Sequence, residues 1–178
     1  MADTWIGVTD SRPTPLLNSL IASIESGYFP DNILIFAPAD DEQALNDINQ
    51  LVEEVCNEYE IQPEIDFSTT PSITKPQEVS QYIVQSLNEL ESDTTKAVSI
   101  TSGSRLLNAC LIAASDKLDH FYTLEGADQA ALESTFYPMI PRPQMSLIDF
   151  QENSDLDLTS PGDRCSTDKA FKITREQL

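Results

Sequence analysis

The stretch that decides the fold is KAVSITSGSRLLNACLIAAS, residues 96–115. It begins as a short apolar strand, turns through serine and glycine, and continues directly into a helix of small and apolar residues. Such a helix start leaves the backbone N–H groups of Ser102, Gly103 and Ser104 without partners inside the helix. The positive end of the helix dipole favours an anion there, and Arg105 adds a permanent positive charge. The stretch therefore predicts a phosphate-binding turn between a strand and a helix.

Strand and helix patterns alternate along most of the chain. Apolar strand-like runs occupy residues 4–8, 32–37, 64–68, 97–101, 120–124 and 144–150. Helical spacing of apolar residues occurs between them, at residues 16–24, 40–59, 79–90 and 105–115. Thr74 and Gln77 have the spacing of a capping box and are predicted to open the third helix. The alternation predicts an α/β, Rossmann-like fold with a mostly parallel sheet of about six strands and helices on both faces.

Two polar loops follow the first and fourth strands. One consists of Thr9, Asp10, Ser11 and Arg12, and the other of Thr101, Ser102, Gly103, Ser104 and Arg105. Ligands of such sheets collect at the carboxyl ends of the strands, where the strand order reverses. If strands one and four are neighbours, the loops share one crevice, and Arg12 and Arg105 would suit a phosphodiester. The alternative is helix capping, by the Ser/Gly turn and by Asp10 or Ser11 ahead of Pro13.

The net charge limits the partners of the chain. Thirty acidic residues against ten basic ones give a formal net charge of -20, which would repel duplex DNA and anionic membranes unless positive charge is concentrated locally. No apolar run is long enough to cross a bilayer, and the N-terminus lacks the pattern of a secretory signal. We therefore expect a cytoplasmic protein that binds neither duplex DNA nor membranes. Acid spread along the chain also suggests a halophilic cytosol, where salt screens self-repulsion.

Several kinds of chemistry are disfavoured by the residues present. Cys56, Cys110 and Cys165 are widely separated and suggest neither disulfides nor zinc. The acidic helix at residues 40–60 has no histidine or cysteine at ligand spacing, so neither a metal nor a cofactor is expected. The turn at residues 101–105 matches neither the phosphate-loop pattern nor the three-glycine dinucleotide fingerprint. No nucleophile elbow occurs, and His120, the only histidine, is expected to be structural.

The sequence divides into two parts. Residues 1–150 form the predicted ligand-binding domain. Residues 151–178 are polar, contain Pro161 and Gly162, and are predicted to be a C-terminal extension with one strand at residues 170–174.

Residues 98–108, VSITSGSRLLN, resemble the second signature of the CRISPR-associated Rossmann fold (CARF) domains. That signature is an apolar strand followed by Thr-Gly-Gly-Thr-Lys and a small-residue helix. Thr101 matches the threonine and Gly103 the second glycine, while Ser102, Ser104 and Arg105 stand for glycine, threonine and lysine. Ser102 and Arg105 differ in type from the family pattern. The resemblance covers residues 3–150 in the order and lengths of elements, and residues 9–12 match the other ligand loop by position only.

The resemblance implies a ligand and an activity. Family members bind cyclic oligoadenylates, such as the tetra- or hexa-adenylate, on the two-fold axis of a homodimer, as part of type III CRISPR antiviral defence. A stand-alone member resembles the ring nucleases, which cleave the messenger without metal through attack of the ribose 2′-OH. By this resemblance Ser11 would be an orienting hydroxyl and Lys169, or else Lys172, a catalytic cation, although both lysines could be ordinary solvated side chains. The alternatives are a non-catalytic sensor and a Rossmann-like domain for an unrelated nucleotide or for protein interaction.

Overall fold

Strands and helices alternate along the part of the chain that the computed structural model describes, residues 3–9, 12–38, 42–70, 75–91, 93–126, 129–140 and 145–150. The strands are β1 (Asp3–Val8), β2 (Asn32–Pro38), β3 (Glu64–Thr70), β4 (Thr95–Ser99), β5 (His120–Gly126) and β6 (Met145–Asp149). The helices are α1 (Pro13–Glu25), α2 (Glu42–Glu58), α3 (Pro76–Glu89), α4 (Arg105–Ala113) and α5 (Gln129–Ser134). Single 3-10 turns lie at Ser115–Lys117 and Tyr137–Met139. None of the helices in these ranges combines the length and the hydrophobicity that a membrane-spanning helix requires.

The described strands form one six-stranded sheet in the order β3-β2-β1-β4-β5-β6. Neighbours from β3 to β5 are parallel, and β6 joins the edge antiparallel to β5. In register, Trp5 of β1 lies between Ile33 of β2 and Ala97 of β4. The α/β fold with a mostly parallel six-stranded sheet is therefore confirmed, and so is the assumption that the first and fourth strands are neighbours.

Each face of the sheet carries its own apolar layer. Successive side chains of a strand point to opposite faces, so Trp5 and Ile6 belong to different layers. Trp5 packs with the buried side of α1 and α2, including Leu16 and Val52. Ile6 packs with α3 and α4. The helices thus cover both faces, and α1 and α4 lie on opposite sides of the sheet.

The third helix begins differently from the sequence prediction. Lys75 occupies its N-cap position without a side-chain cap hydrogen bond, and Pro76 is the first helical residue. The predicted capping box of Thr74 and Gln77 is therefore wrong, and Thr74 itself lies outside the described residues. Proline suits the first helical position because its φ is already helical and its missing N–H would have no partner there. Here proline at the first position, not a side-chain cap, marks the start of the helix.

One more boundary and one segment differ from expectation. β4 ends at Ser99, so residues 100–104 form the turn before α4. The segment between β5 and β6 contains α5 and a 3-10 turn, which the sequence analysis did not predict. The strand predicted at residues 170–174 lies outside the described residues.

Candidate functional site

The strand order reverses between β1 and β4. From β1 the chain continues through α1 to β2 on one side, and from β4 it continues through α4 to β5 on the other side. The two connections leave the sheet at its carboxyl edge and run to opposite faces. We call the space between the ends of β1 and β4, bordered by Thr9, Arg12 and residues 100–105, the crevice. A reversal of this kind is where open α/β sheets bind ligands.

Ser102 and Gly103 hold the turn after β4 directly against the end of β1. The Ser102 hydroxyl is buried and donates a hydrogen bond of 2.5 Å to the Val8 carbonyl. Gly103 has a φ of +82°, and a Cβ there would lie 2.8 Å from Val8 Cβ and 3.0 Å from the Val8 carbonyl carbon. Both the backbone conformation and the close approach require glycine. Gly103 therefore brings the start of α4 onto the neighbouring strand.

The side chains of Thr101 and Ser104 also support the turn. Thr101 Oγ1 accepts hydrogen bonds from the Leu124 backbone N–H at 2.8 Å and from the Ser99 hydroxyl at 3.2 Å. Ser104 is the N-cap of α4, and its Oγ accepts from the Leu106 N–H at 3.3 Å. The Ser104 hydroxyl thus caps the helix, which was the alternative role considered from the sequence. Binding of a ligand by these hydroxyls remains a prediction.

Among the described residues, nothing accepts a hydrogen bond from the first backbone N–H groups of the α4 start. Asn108 makes the first regular helical bond, from its N–H to the Ser104 carbonyl at 3.0 Å. Within the described residues, the N–H groups of Gly103, Ser104 and Arg105 donate to no other atom. Three neighbouring unpaired donors at a helix N-terminus favour an anion.

Asn108 hydrogen-bonds to two backbone carbonyls of the turn, so these acceptors are occupied while N–H donors of the turn remain. Its Nδ2 donates to the carbonyls of Ile100 and Ser102 at 3.2 and 3.0 Å. Its Oδ1 is buried and has no hydrogen-bond partner in the described part of the chain. Asn108 was not among the site residues predicted from the sequence, although a polar residue one turn into an apolar helix is a local signal for such a role.

The two arginines border the crevice from opposite faces of the sheet. Arg105 is the first residue of α4, is exposed, and makes no ion pair with any described residue. Arg12 is the N-cap residue of α1, and its guanidinium donates to Glu133 Oε2 at 2.9 Å. Because Arg12 occupies the N-cap position, neither Asp10 nor Ser11 does. Asp10, Ser11, Lys169 and Lys172 lie outside the described residues, so their roles remain predictions.

Thr9 continues the backbone pairing of β1. It is buried, and its N–H donates to the Phe36 carbonyl at 3.0 Å. Its position fixes where the chain leaves the sheet towards Arg12, which makes Thr9 a part of the scaffold of the crevice.

His120 lies at the opposite, amino edge of the sheet. Its Nδ1 is 2.6 Å from Asp149 Oδ2, its ring stacks on Tyr122, and Asp149 Oδ1 accepts from the Phe121 N–H at 3.3 Å. These contacts join the start of β5 to the end of β6. They are consistent with the structural role that the sequence analysis expected for His120.

Cys56 and Cys110 are buried, and their thiols are poor nucleophiles at neutral pH. Burial raises the pKa of the Cys56 thiol to about 11 and also raises the pKa of Cys110. Both thiols therefore stay protonated near neutral pH and pack as small apolar groups. Cys165 lies outside the described residues.

No protein-family model matches the chain, and no curated protein matches it. Among solved structures, the chain is similar to one described as a type III CRISPR defence DNA nuclease activated by cyclic oligoadenylate, with 12% sequence identity and a TM-score of 0.49. The similarity covers 70% of this chain and 18% of that chain. The chain thus corresponds to less than a fifth of that nuclease, and a likeness at this level carries no argument about function.

Proposed function

We propose that this protein binds cyclic oligoadenylates, of four or six nucleotides, in the crevice between β1 and β4. The observation that supports the proposal most is the row of N–H groups at Gly103, Ser104 and Arg105, which donate to no described residue and lie where the strand order reverses. The choice of ligand follows from the resemblance of residues 98–108 to the CARF signature. The binding domain in this proposal is residues 1–150, with residues 151–178 as an extension.

The binding site can be positive although the protein is strongly acidic. Helix N-termini and arginines act over a short range, and molar or physiological salt screens the distant carboxylates. In a homodimer with its two-fold axis at the crevice, a ring of phosphates would meet two copies of Arg12, Arg105 and the α4 start. The proposal therefore includes a homodimer as the binding unit.

The proposed activity is cleavage of the ring without metal. The ribose 2′-oxygen forms a bond to the adjacent phosphorus, the bond from phosphorus to the 5′-oxygen breaks, and the proton of the 2′-OH ends on the 5′-oxygen. The protein would contribute by holding the 2′-oxygen in line with the bond that breaks and by stabilising the negative charge on the phosphate. By the resemblance, Ser11 would orient the attacking group, and Lys169 would stabilise the developing charge.

A non-catalytic sensor is the second candidate, and one observation favours it. The hydroxyls of Thr101, Ser102 and Ser104 are all engaged in hydrogen bonds that maintain the turn. The described part of the crevice thus offers donors and positive charge, which bind a phosphodiester, but no side chain suited to proton transfer. Cleavage depends on residues outside that part.

One experiment separates these functions. The full chain is incubated with radiolabelled cyclic tetra-adenylate and cyclic hexa-adenylate in the presence of a chelator. A linear product indicates a ring nuclease, and retention on a filter without product indicates a sensor. Absence of both product and retention would refute the proposed ligand.

Arg105→Ala tests the charge at the start of α4. We expect at least tenfold weaker binding, since a hydrogen bond to a charged group contributes about 1.5–3 kcal/mol. Lys117→Ala is the matched control, because it also removes one positive charge but lies at the amino edge of the sheet. Equal affinity of Arg105→Ala and wild type would remove Arg105 from the site.

Ser11→Ala tests the proposed cleavage step. Single-turnover measurements with labelled ring should show slower cleavage, while filter binding gives nearly wild-type affinity. Loss of binding in proportion to the loss of rate would mean that Ser11 only supports its loop.

A further inference from the structure

Arg12, at the border of the crevice, pairs with a carboxylate far along the sequence. Its Nη1 donates to Glu133 Oε2 at 2.9 Å, and the side chains are 56% and 43% exposed. Glu133 belongs to α5, which follows β5 and therefore also begins at the carboxyl edge of the sheet. The guanidinium that the proposed ligand needs is thus paired with an acidic group of the same chain.

The position of Glu133 is fixed by the rest of its segment. Leu132 is buried, and its carbonyl accepts a hydrogen bond of 2.9 Å from Asn18 Nδ2. The same nitrogen donates to the Thr135 carbonyl at 2.8 Å, and Asn18 Oδ1 accepts from the Tyr137 N–H at 2.7 Å. Asn18 is fully buried in α1, the helix that begins directly after Arg12. A buried anchor on α1 therefore holds α5 where Glu133 meets Arg12.

We propose that Glu133 is an internal competitor for Arg12, which an anionic ligand must displace before the guanidinium can bind phosphate. This inference rests on the proposed function. A carboxylate and a phosphodiester both accept hydrogen bonds from the same planar donors, so occupation by one opposes the other. Exchange is feasible because both side chains are partly exposed, and exposed ion pairs are weak. Glu133 thus sets the affinity of the crevice without touching the ligand.

Glu133→Gln tests the competition directly. The amide keeps the size of the side chain but removes its charge, and we expect cyclic tetra-adenylate or hexa-adenylate to bind about two- to fivefold more tightly, equivalent to about 0.4–1 kcal/mol. Glu125→Gln is the matched control, since Glu125 is an exposed carboxylate near the same edge that makes no hydrogen bond with any described residue. Its affinity should equal that of wild type.

The same substitution in an Arg12→Gln background shows whether the effect acts through Arg12. There Glu133→Gln should leave the affinity unchanged. An equal gain with and without Arg12, or an equal gain in Glu125→Gln, would mean that only net charge matters and would overturn the inference.

A measurement without any cyclic oligoadenylate separates this inference from the proposed function. Phenylglyoxal modifies accessible arginines, and peptide mass spectrometry resolves the rate at Arg12 from that at Arg105. Glu133→Gln should speed modification at Arg12 and leave Arg105 unchanged, whereas equal rates at Arg12 would overturn the inference. Absence of ring binding in wild type and every variant would refute the proposed function, while binding that is unchanged by Glu133→Gln would refute the competition alone.

Discussion

Replacing Gly103 with alanine tests how closely the start of α4 is pressed against β1. The backbone of Gly103 has a φ of +82°, which L-residues other than glycine adopt at a cost of about 1–2 kcal/mol. The new Cβ would also meet Val8 Cβ at 2.8 Å and the Val8 carbonyl carbon at 3.0 Å, and would lie even nearer to Val8 Cγ1. Val8 is fully buried, so its side chain has little room to move.

The two contributions can be added. Inserting a methyl group into a packed site costs about 1–3 kcal/mol, so Gly103→Ala should lower the free energy of unfolding by about 2–5 kcal/mol. Gly27→Ala is the matched control, because Gly27 has a φ of +101° and a Cβ there would meet nothing within 4 Å. It should show the conformational cost of about 1–2 kcal/mol alone. The difference between the two variants therefore measures the contact with Val8.

Urea unfolding followed by circular dichroism gives both free energies. Val8→Ala provides a further test, since the double variant should regain part of the loss through coupling between positions 8 and 103. Equal destabilisation by Gly103→Ala and Gly27→Ala, with no coupling to Val8, would refute the view that the turn lies on the end of β1.

Three further predictions concern stability. Asn18→Ala should lower the free energy of unfolding in urea by about 3 kcal/mol, because it leaves buried backbone groups of the α5 segment unpaired. Asn49→Ala removes only an exposed contact to Glu53 and should lower it by less than about 0.5 kcal/mol. Similar values for both variants would contradict the anchoring role of Asn18. Burial raises the pKa of the Cys56 thiol from its ordinary value of 9.0 to about 11 in the folded protein. Above pH 9 the unfolded chain therefore loses a proton that the folded state keeps, and the free energy of unfolding should fall by about 2 kcal/mol between pH 9 and pH 11. In Cys56→Ala, urea unfolding should show a smaller decrease of the free energy of unfolding over this pH range, and an unchanged decrease would contradict the burial of the thiol. The net charge of -20 predicts a melting temperature that rises in molar salt, where the screening length is about 3 Å, and a constant melting temperature would count against a halophilic origin.

The sequence predicted the fold because local patterns and topology rules agree. Apolar runs alternate with helical spacing, and parallel strands joined by helices leave few possible arrangements. A turn between the fourth strand and the fourth helix was predicted correctly, because Gly103 and the serines that flank it are strong local signals, although β4 ends at Ser99, two residues earlier than expected. The prediction for Thr74 failed because Pro76 starts the third helix without a side-chain cap.

The roles of individual polar groups depended on partners far along the chain. The Ser102 hydroxyl donates to the Val8 carbonyl, and the Thr101 hydroxyl accepts from the Leu124 N–H, so both hydroxyls stabilise the turn through residues that no local pattern connects to it. Arg12 meets Glu133, more than a hundred residues away, in a helix that the sequence analysis did not predict. Such contacts follow from the packing of α1, α5 and the sheet, which no local pattern contains.

In the proposed function, the N–H groups at the start of α4 bind the phosphodiesters of a cyclic oligoadenylate. Amide resonances of ¹⁵N-labelled protein, recorded during titration with cyclic tetra-adenylate and cyclic hexa-adenylate, test it residue by residue. We expect the amide resonances of Gly103, Ser104 and Arg105 to shift most with at least one of the two rings, while those of Lys117 and His120 at the amino edge of the sheet stay in place. Unchanged resonances at residues 103–105 at saturating ring, or the largest shifts at the amino edge, would contradict it.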